Sequence, residues 1–240
     1  AGSSPPTPRA VWTSESEPLP RPPHERELFV RRLRVYPHAL REANAYYSPS
    51  KKALLFGYFP AVGEDVGRNL PGGMVFTCLS HDIVAHEMTH AVLDGMHRHF
   101  IEASNPDVLA FHEAFADIVA LFQRFTVPEV LRWALQRARG DLRRDDALGR
   151  IARQFGEAIG QRGALREYIT GEPDPAALAR TLEPHARGAI LVAAVFDAFR
   201  AIYNARITDL LRIVTGRGDR FPRLDLQPDL LGRLVEEARK

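Results

Sequence analysis

The chain has 240 residues, of which 45% are hydrophobic and 26% are charged, a composition typical of a globular protein. It carries 32 lysines and arginines against 30 aspartates and glutamates, and the resulting formal net charge of +2 gives no general attraction to nucleic acid. No run approaches the roughly 18 apolar residues needed to cross a bilayer, so we expect neither a nucleic-acid nor a membrane partner, and the single cysteine, Cys78, excludes an internal disulfide framework.

The first part of the chain divides into a tail and a short β-like region. Residues 1–26 are rich in proline and serine, which predicts a flexible or extended tail, with a partner-binding proline motif as the alternative. Between Leu28 and Phe76 the apolar runs are short, and the two that flank residues 48–50 predict a β-hairpin. Cys78 follows in an apolar run and is predicted to be a small buried side chain.

From Ser80 onward the sequence has a helical pattern. Ser80 is predicted to cap a helix that ends near Met96, and Asn105 followed by a proline opens a second helix to about Phe125. Further helices are predicted over residues 128–139, 145–159, 185–205 and 228–239. The predicted fold class is therefore α+β, with a small β-containing lobe followed by a larger, mainly helical lobe.

The sequence His86-Glu87-Met88-Thr89-His90 carries the strongest chemical signal. In a helix, residues four apart lie on one face, so both imidazoles can bind a single zinc ion at about 2.0–2.1 Å. Glu87 is too close to the first histidine to join the ligands and is predicted instead to take a proton from a water molecule in the open fourth position. The alternative is an amphipathic helix that carries two histidines without a metal.

A third protein ligand is expected on the next helix, and Glu113 is the best candidate. Its neighbours are strongly apolar, and a carboxylate in such a helix is costly to bury unless it is paired or bound to a metal. Asp117 lies one turn further on the same face, where it can accept a hydrogen bond from the far nitrogen of a metal-bound histidine. The alternative is that both carboxylates are solvated. His112 is the weaker ligand candidate, because it projects about 100° away from Glu113 around the helix.

Together these residues resemble the thermolysin-like zinc metallopeptidases. The segment Asp82–Val92 is similar to that family's active-site helix, and Glu113 with Ala114 and Asp117 is similar to its third-ligand helix. The resemblance implies that Zn²⁺ is held by the two histidines of the motif and by Glu113. It also implies hydrolysis of peptide bonds by an endopeptidase that acts on a peptide or protein substrate.

The same resemblance implies a plan for the whole chain. The tail over residues 1–26 would precede a compact catalytic domain over residues 27–240. This domain would have a β-containing lobe over residues 27–79 and a helical lobe over residues 80–240, with the zinc site on the helix between them. The resemblance favours export from the cell, although no secretory signal is visible in the chain.

Four further residues match the family's substrate-binding and oxyanion-binding groups. Asn44 and Ala45 resemble the edge-strand segment that holds the substrate backbone as an added strand. Arg166 resembles the arginine that binds a substrate carbonyl on the leaving-group side. His185 resembles the histidine that stabilises the oxyanion.

The chain also departs from the family's pattern near the oxyanion site. The family's oxyanion tyrosine lies between the second zinc histidine and the third ligand, but residues 91–112 contain no tyrosine. Either His97 or His99 takes its place, or both are surface histidines. The aspartate that orients the family's oxyanion histidine is replaced by Arg180, with Glu183 nearer to that histidine.

A calcium site of the family is altered in this chain. The family places one carboxylate four residues before the first zinc histidine and another eleven residues after the third ligand, around calcium. The corresponding residues here are Asp82 and Arg124. Because a guanidinium cannot bind a cation but can pair with a carboxylate, we predict an Asp82–Arg124 ion pair and no calcium at this position.

Two alternatives to a general zinc peptidase are consistent with the sequence. One is a peptidase restricted to small or folded partner substrates, since the N-terminal lobe is short. The other is a zinc-containing binding or regulatory module of the same fold that has lost activity, which the missing tyrosine favours. Retention of Glu87 argues against the module, because a structural zinc site needs no general base.

Overall fold

A computed structural model describes residues 30–61, 70–97, 99–142, 150–151, 166–167, 175–216 and 226–240. The tail predicted over residues 1–26 lies outside the described residues. The described strands are β1 (Arg34–Leu40), β2 (Ala45–Ser48), β3 (Ala53–Pro60), β4 (Met74–Phe76), β5 (Arg150–Ile151) and β6 (Arg166–Glu167). The described helices are α1 (His81–Met96), α2 (Pro106–Gln123), α3 (Pro128–Ala138), α4 (Pro184–Thr215) and α5 (Pro228–Arg239). A small sheet followed by several helices makes the fold α+β, as predicted.

Strand β3 is the centre of the first sheet. It pairs in parallel with β1 and antiparallel with β2, and its end pairs antiparallel with β4. The β2–β3 pair is the hairpin predicted on either side of residues 48–50. Residues 53–57 of β3 are buried, as expected for a strand in the middle of a sheet. In the described sheet β2 pairs with β3 on one side only and therefore forms an edge.

A close approach at Gly57 fixes the segment that leads into β2. A Cβ atom at Gly57 would lie 2.2 Å from the carbonyl oxygen of Glu42 and 2.5 Å from that of Asn44. The backbone N–H of Gly57 donates to the same Asn44 oxygen at 2.8 Å. A side chain at this position would force the two segments apart, so glycine is what holds Asn44 and Ala45 at the start of the edge strand.

Helix α1 lies between the sheet and the remaining helices. One side packs on the sheet, where Ala91 joins a cluster with Leu54 and Phe56, and the other side packs on α2. Ser80 precedes the helix as predicted, but its side chain makes no capping hydrogen bond. Asp82 places an acidic group in the first turn, where it complements the helix dipole.

Asp82 and Arg124, which directly follows α2, form the predicted ion pair. Nε of Arg124 donates to Oδ1 of Asp82 at 2.8 Å, and a terminal guanidinium nitrogen donates to Oδ2. The Asp82 side chain is 9% exposed and the Arg124 side chain 19% exposed. Because both charges are largely removed from water, loss of one partner would leave the other uncompensated and cost about 3 kcal/mol of stability.

Helices α2 and α4 pack together in the core of the helical lobe. The side chain of Asn105 caps α2 by accepting from the backbone N–H of Asp107 at 2.8 Å, with a proline at the first helical position, as predicted. Helix α4 extends beyond the predicted range of 185–205 and ends at Thr215, followed by Gly216, whose φ of 70° favours glycine. The largest buried side chains of this core are Leu121, Leu131, Leu135, Val192, Phe196, Tyr203, Ile207 and Leu234.

Helix α4 is also the one described helix that could cross a membrane by its length and composition alone. Its most apolar 18-residue window has a mean hydropathy of 1.4, and 22% of that window is buried. By this measure the expectation that no segment approaches a membrane span is wrong. Val192, Phe196 and Tyr203 of α4 belong to the protein core, although most of the window is not buried. The absence of a membrane partner stays a prediction.

Two predictions need correction where the structure describes the chain. The sequence predicts a helix over residues 145–159, but Arg150–Ile151 pairs antiparallel with Arg166–Glu167. The helix is therefore wrong at residues 150 and 151, and the rest of its range lies outside the described residues. Cys78, in a 3₁₀ turn before α1, is half-buried beside the Leu54 cluster and so is less buried than predicted.

Candidate metal centre

Three metal-binding side chains come together between α1 and α2. His86 and His90 lie one turn apart on α1, and Glu113 faces them from α2. The ligand atoms of these three side chains all lie within 4.8 Å of one another. In the part of the chain that the structure describes, this is the only such group of histidine, cysteine, aspartate or glutamate side chains. The protein therefore has a group that could hold a metal ion.

The three side chains lie close enough together to share one metal ion. Nε2 of His86 lies 3.0 Å from Nε2 of His90 and 3.3 Å from Oε2 of Glu113. Nε2 of His90 lies 3.6 Å from Oε1 of Glu113. Two ligands that bind a tetrahedral zinc ion at about 2.0–2.1 Å stand about 3.3–3.4 Å apart. The two histidine nitrogens are closer than this value, and the two Glu113 distances belong to different carboxylate oxygens, so the side chains must rearrange slightly to bind one ion.

Asp117 fixes the orientation of His86. Oδ1 of Asp117 lies 2.7 Å from Nδ1 of His86, and the aspartate side chain is 2% exposed. Burial disfavours the charged form of His86, but the hydrogen bonds with Asp117 and Glu113 outweigh burial and raise its pKa to about 9. Because Nδ1 donates to Asp117, Nε2 is the atom that His86 directs at the metal site, and it must lose its proton when an ion binds.

His90 and Glu113, unlike His86, are already in the ionisation states that a metal requires. Burial, followed by the charge of neighbouring His86, lowers the pKa of His90 to about 3, so this imidazole is neutral. Burial opposes ionisation of Glu113, but hydrogen bonds with His185 and His86 outweigh it and hold the pKa of Glu113 far below its usual range. A neutral imidazole and an ionised carboxylate are the forms that bind metal ions.

We expect replacement of Asp117 with asparagine to weaken zinc binding by about 10–100-fold, because an amide no longer fixes the tautomer and charge of the histidine it holds. The dissociation constant can be measured by competition with a chromophoric chelator. Asp229→Asn, a change at an exposed residue of α5, is the matched control. Equal zinc affinity in the two variants would contradict the role given to Asp117.

Glu87 lies beside the ligand group and faces the same cavity. The residue is 8% exposed, and its Oε2 accepts a hydrogen bond from the backbone N–H of Tyr47 at 2.8 Å. This hydrogen bond holds the carboxylate against β2. Glu87 is not one of the three side chains whose donor atoms converge. A carboxylate that is not one of the converging donors therefore lies next to the group that could hold a metal ion.

His185, in the first turn of α4, contacts Glu113. Nδ1 of His185 lies 2.7 Å from Oε2 of Glu113, a contact that the sequence-based reasoning missed. No local sequence pattern indicated it, although Gly188 is the residue that permits it, because a Cβ there would lie 2.7 Å from the carbonyl oxygen of Ala110 and 3.4 Å from Cβ of Glu113. The absence of a side chain at Gly188 lets α4 approach α2 closely enough for this contact.

Gly188→Ala is expected to destabilise the protein by about 1–3 kcal/mol, because the added methyl group overpacks the contact between α4 and α2. It should also weaken zinc binding, since Glu113 lies at that contact. Thermal unfolding and zinc titration measure the two effects. Gly232→Ala in α5 is the control, because a Cβ there meets no atom within 4 Å. Equal stability and zinc affinity in both variants would show that the close approach does not position Glu113.

Glu183, the carboxylate nearer to His185, binds the backbone at the start of α4. The Glu183 carboxylate accepts hydrogen bonds from the backbone N–H groups of His185 and Ala186, so it caps the N-terminus of α4. The imidazole of His185 instead has the carboxylate of Glu113 beside it. One partner of the His185 ring is therefore Glu113, the third member of the converging group.

A cavity of about 610 Å³ opens beside the ligand group. Asn44, Ala45 and Tyr46 of the β2 segment form one wall, and Ile101 and Leu109 contribute apolar surface elsewhere. The predicted substrate-binding residues Asn44 and Ala45 are thus brought to the same cavity as the ligands, Glu87 and His185. The predicted Arg166 begins β6, and its side chain lies outside the described part of the structure.

His112, which the sequence made only the weaker ligand candidate, nevertheless lies in the site. It lines the cavity, its ring stacks on that of His90 with centroids 5.7 Å apart, and its Nε2 donates to the carbonyl oxygen of Phe100 at 2.8 Å. His112 is not in the converging group. The described cavity lining includes neither His97 nor His99, so the structure gives no support to either as the replacement for the family's tyrosine.

Comparisons of this chain with protein-family models, with curated proteins and with solved structures found no match. The thermolysin-like resemblance therefore stays a prediction from the sequence. The structure contributes the converging ligand group, its hydrogen-bonded surroundings and the cavity beside it.

Proposed function

We propose that this chain is a zinc-dependent metallopeptidase with a thermolysin-like active site, and that it cleaves bonds within a peptide chain. The observation that carries the proposal is the convergence of His86, His90 and Glu113, with ligand atoms within 4.8 Å of one another, beside an open cavity. Structural zinc sites have four protein ligands, whereas catalytic sites have three and an open position. The described group has three, with Glu87 next to it.

We assign zinc to these donors, a set that other first-row divalent metals such as Fe²⁺ also bind. Two imidazole nitrogens and one carboxylate are a known catalytic zinc set, whereas calcium and magnesium prefer oxygen ligands throughout. A bound zinc ion would polarise the scissile carbonyl group and lower the pKa of a water molecule. Asp117 would hold His86 in the orientation that binding requires, and His185 would orient Glu113.

Glu87 supplies the acid–base chemistry in this proposal. Its carboxylate takes a proton from the attacking water as the new C–O bond forms, and delivers it to the leaving nitrogen as the C–N bond breaks. The backbone N–H of Tyr47 holds Oε2 of Glu87 in place. His185 also lines the cavity, which is compatible with the oxyanion contact that the sequence resemblance implies.

The peptide substrate is expected to lie along the β2 edge. The carbonyl oxygen of Asn44 bonds to β3, so by alternation Ala45 and Tyr47 direct their backbone groups away from β3. The Tyr47 N–H is used by Glu87. The outward carbonyl oxygen of Ala45 is then an acceptor that an extended peptide could use to join the sheet as an added strand.

The proposal is tested with a quenched fluorescent peptide that is blocked at both ends. Zinc-loaded protein should cleave it, removal of zinc by a chelator should abolish cleavage, and about one equivalent of Zn²⁺ per chain should restore it. Magnesium should not restore it. Cleavage that persists in metal-free protein would refute the zinc mechanism, and cleavage only of peptides with free ends would indicate an exopeptidase.

The alternative is a zinc-containing binding or regulatory module without activity. The absence of a tyrosine from residues 91–112 and the contact of His185 with Glu113 favour it, because both reduce the number of groups committed to an oxyanion. This alternative expects one bound zinc ion and no cleavage of any peptide. In this alternative, Glu87 has no role in binding the partner of the protein.

A further inference from the structure

A buried aspartate of α1 ties the β2–β3 hairpin to the active-site helix. Asp94 is 0% exposed. Its Oδ2 accepts a hydrogen bond from the hydroxyl group of Tyr47 in β2 and lies 3.0 Å from Nζ of Lys52, in the turn between β2 and β3. Its Oδ1 has no hydrogen-bond partner in the described part of the chain. One carboxylate oxygen therefore holds a strand and a turn of the same hairpin.

Both hairpin contacts compensate for the burial of the Asp94 carboxylate. A carboxylate that is fully removed from water is costly unless it is paired and hydrogen-bonded. Lys52 supplies the opposite charge. Its backbone is in the left-handed region with a φ of 48°, a conformation that few residues other than glycine adopt. Such a conformation persists when surrounding contacts hold it, and the ion pair with Asp94 is one of them.

Tyr47 connects this cluster to the proposed general base. Its hydroxyl group donates to Asp94, and its backbone N–H donates to Oε2 of Glu87 at 2.8 Å. Asp94 and Glu87 are seven residues apart on α1 and so lie on the same face. Burial, together with the hydrogen bond to Asp94, raises the pKa of Tyr47 above its usual value, so the phenol stays protonated and keeps donating.

We propose that Tyr47, Asp94 and Lys52 form a hairpin anchor that positions Glu87 and the β2 edge relative to each other for peptide cleavage. The inference rests on the proposed function, because it gives the anchor its role in that reaction. The three members are positioning residues, and none belongs to the metal-ligand group. Disturbing the anchor should therefore change turnover without changing zinc binding.

The first test removes each hairpin contact by a nearly isosteric change. Tyr47→Phe and Lys52→Met should each lower kcat about 10-fold with KM within about twofold of the wild-type value, because a displaced catalytic group affects turnover more than binding. Zinc affinity should be unchanged. Tyr36→Phe on exposed β1 and Lys51→Met in the same turn are the matched controls.

Two double variants separate positioning from a general loss of structure. Tyr47→Phe with Lys52→Met should lose little more kcat than either single variant, because both changes act through Asp94. Tyr47→Phe added to Glu87→Gln should cause no further loss of residual cleavage, since the anchor acts through Glu87. Full multiplication of the separate effects in either pair would overturn the proposal.

Amide hydrogen exchange tests the anchor without an activity measurement. Exchange in the β2 peptide should be faster in Tyr47→Phe and Lys52→Met than in the two controls, with α2 unchanged. Lys52→Met keeps the test decisive if Tyr47→Phe does not fold. A wild-type protein that cleaves no peptide would refute the proposed function while exchange still tests the anchor. The anchor alone would be refuted if the wild type cleaves the peptide and both single variants keep the wild-type kcat. It would also be refuted if the wild type cleaves the peptide and β2 exchange is unchanged in both single variants.

Discussion

The Glu87→Gln variant is expected to lose peptide cleavage by about 10²–10⁴-fold while it keeps its zinc ion, because general acid–base catalysis contributes an effect of this size. Glutamine has nearly the same shape, and its amide oxygen can still accept the N–H of Tyr47. What it cannot do is take a proton from water. Initial rates on the quenched peptide, with zinc content measured on the same samples, test this result.

The control for this variant is Glu129→Gln, which makes the same chemical change at an exposed residue of α3. It should cleave at the wild-type rate. If Glu87→Gln also cleaved at that rate, Glu87 could not be the general base, and another group of the cavity would have to move the proton. If zinc were bound but neither the wild type nor the variant cleaved, the binding module would be the better description.

The local features of the site are those that the sequence predicts best. Residues four apart on a helix share a face whatever the rest of the fold does, so the sequence alone is enough to pair His86 with His90. The Asn105 cap and the β2–β3 hairpin are similarly local, because a few residues determine each of them.

The features that the sequence does not predict depend on approaches between distant segments. The contact of His185 with Glu113 requires α4 to lie against α2 at Gly188, which no local pattern specifies. The pairing of residues 150–151 with residues 166–167 is likewise set by a partner further along the chain. In both cases a helical or polar pattern is locally consistent with several arrangements, and tertiary packing selects one.

The Asp82–Arg124 pair shows how a long-range contact can be predicted when charge restricts the choices. A buried carboxylate near the start of α1 needs a cation, and Arg124 lies where the resemblance expects a second carboxylate. Replacing that carboxylate with a guanidinium inverts the charge of the position, so a direct ion pair is the simplest compensation. The observed hydrogen bonds from Arg124 to both oxygens of Asp82 agree with this reasoning.

The His90→Ala variant is expected to lose bound zinc, from about one ion per chain to about none after gel filtration, because only two protein ligands would be left. Cleavage should be lost with the metal. Zinc should also no longer raise the melting temperature, since a ligand stabilises a fold only when it binds the folded state, by about 2.7 kcal/mol at 100 times its dissociation constant.

His112→Gln is the control for this experiment. His112 is also buried, stacks on the ring of His90 and lines the same cavity, but it donates to the carbonyl oxygen of Phe100 and lies outside the converging group. Glutamine can still donate to that oxygen, so zinc content and the zinc-dependent rise in melting temperature should persist. If His112→Gln lost zinc and His90→Ala kept it, the ligand set would be wrong, and the metal would have to lie on the other side of the stacked imidazoles.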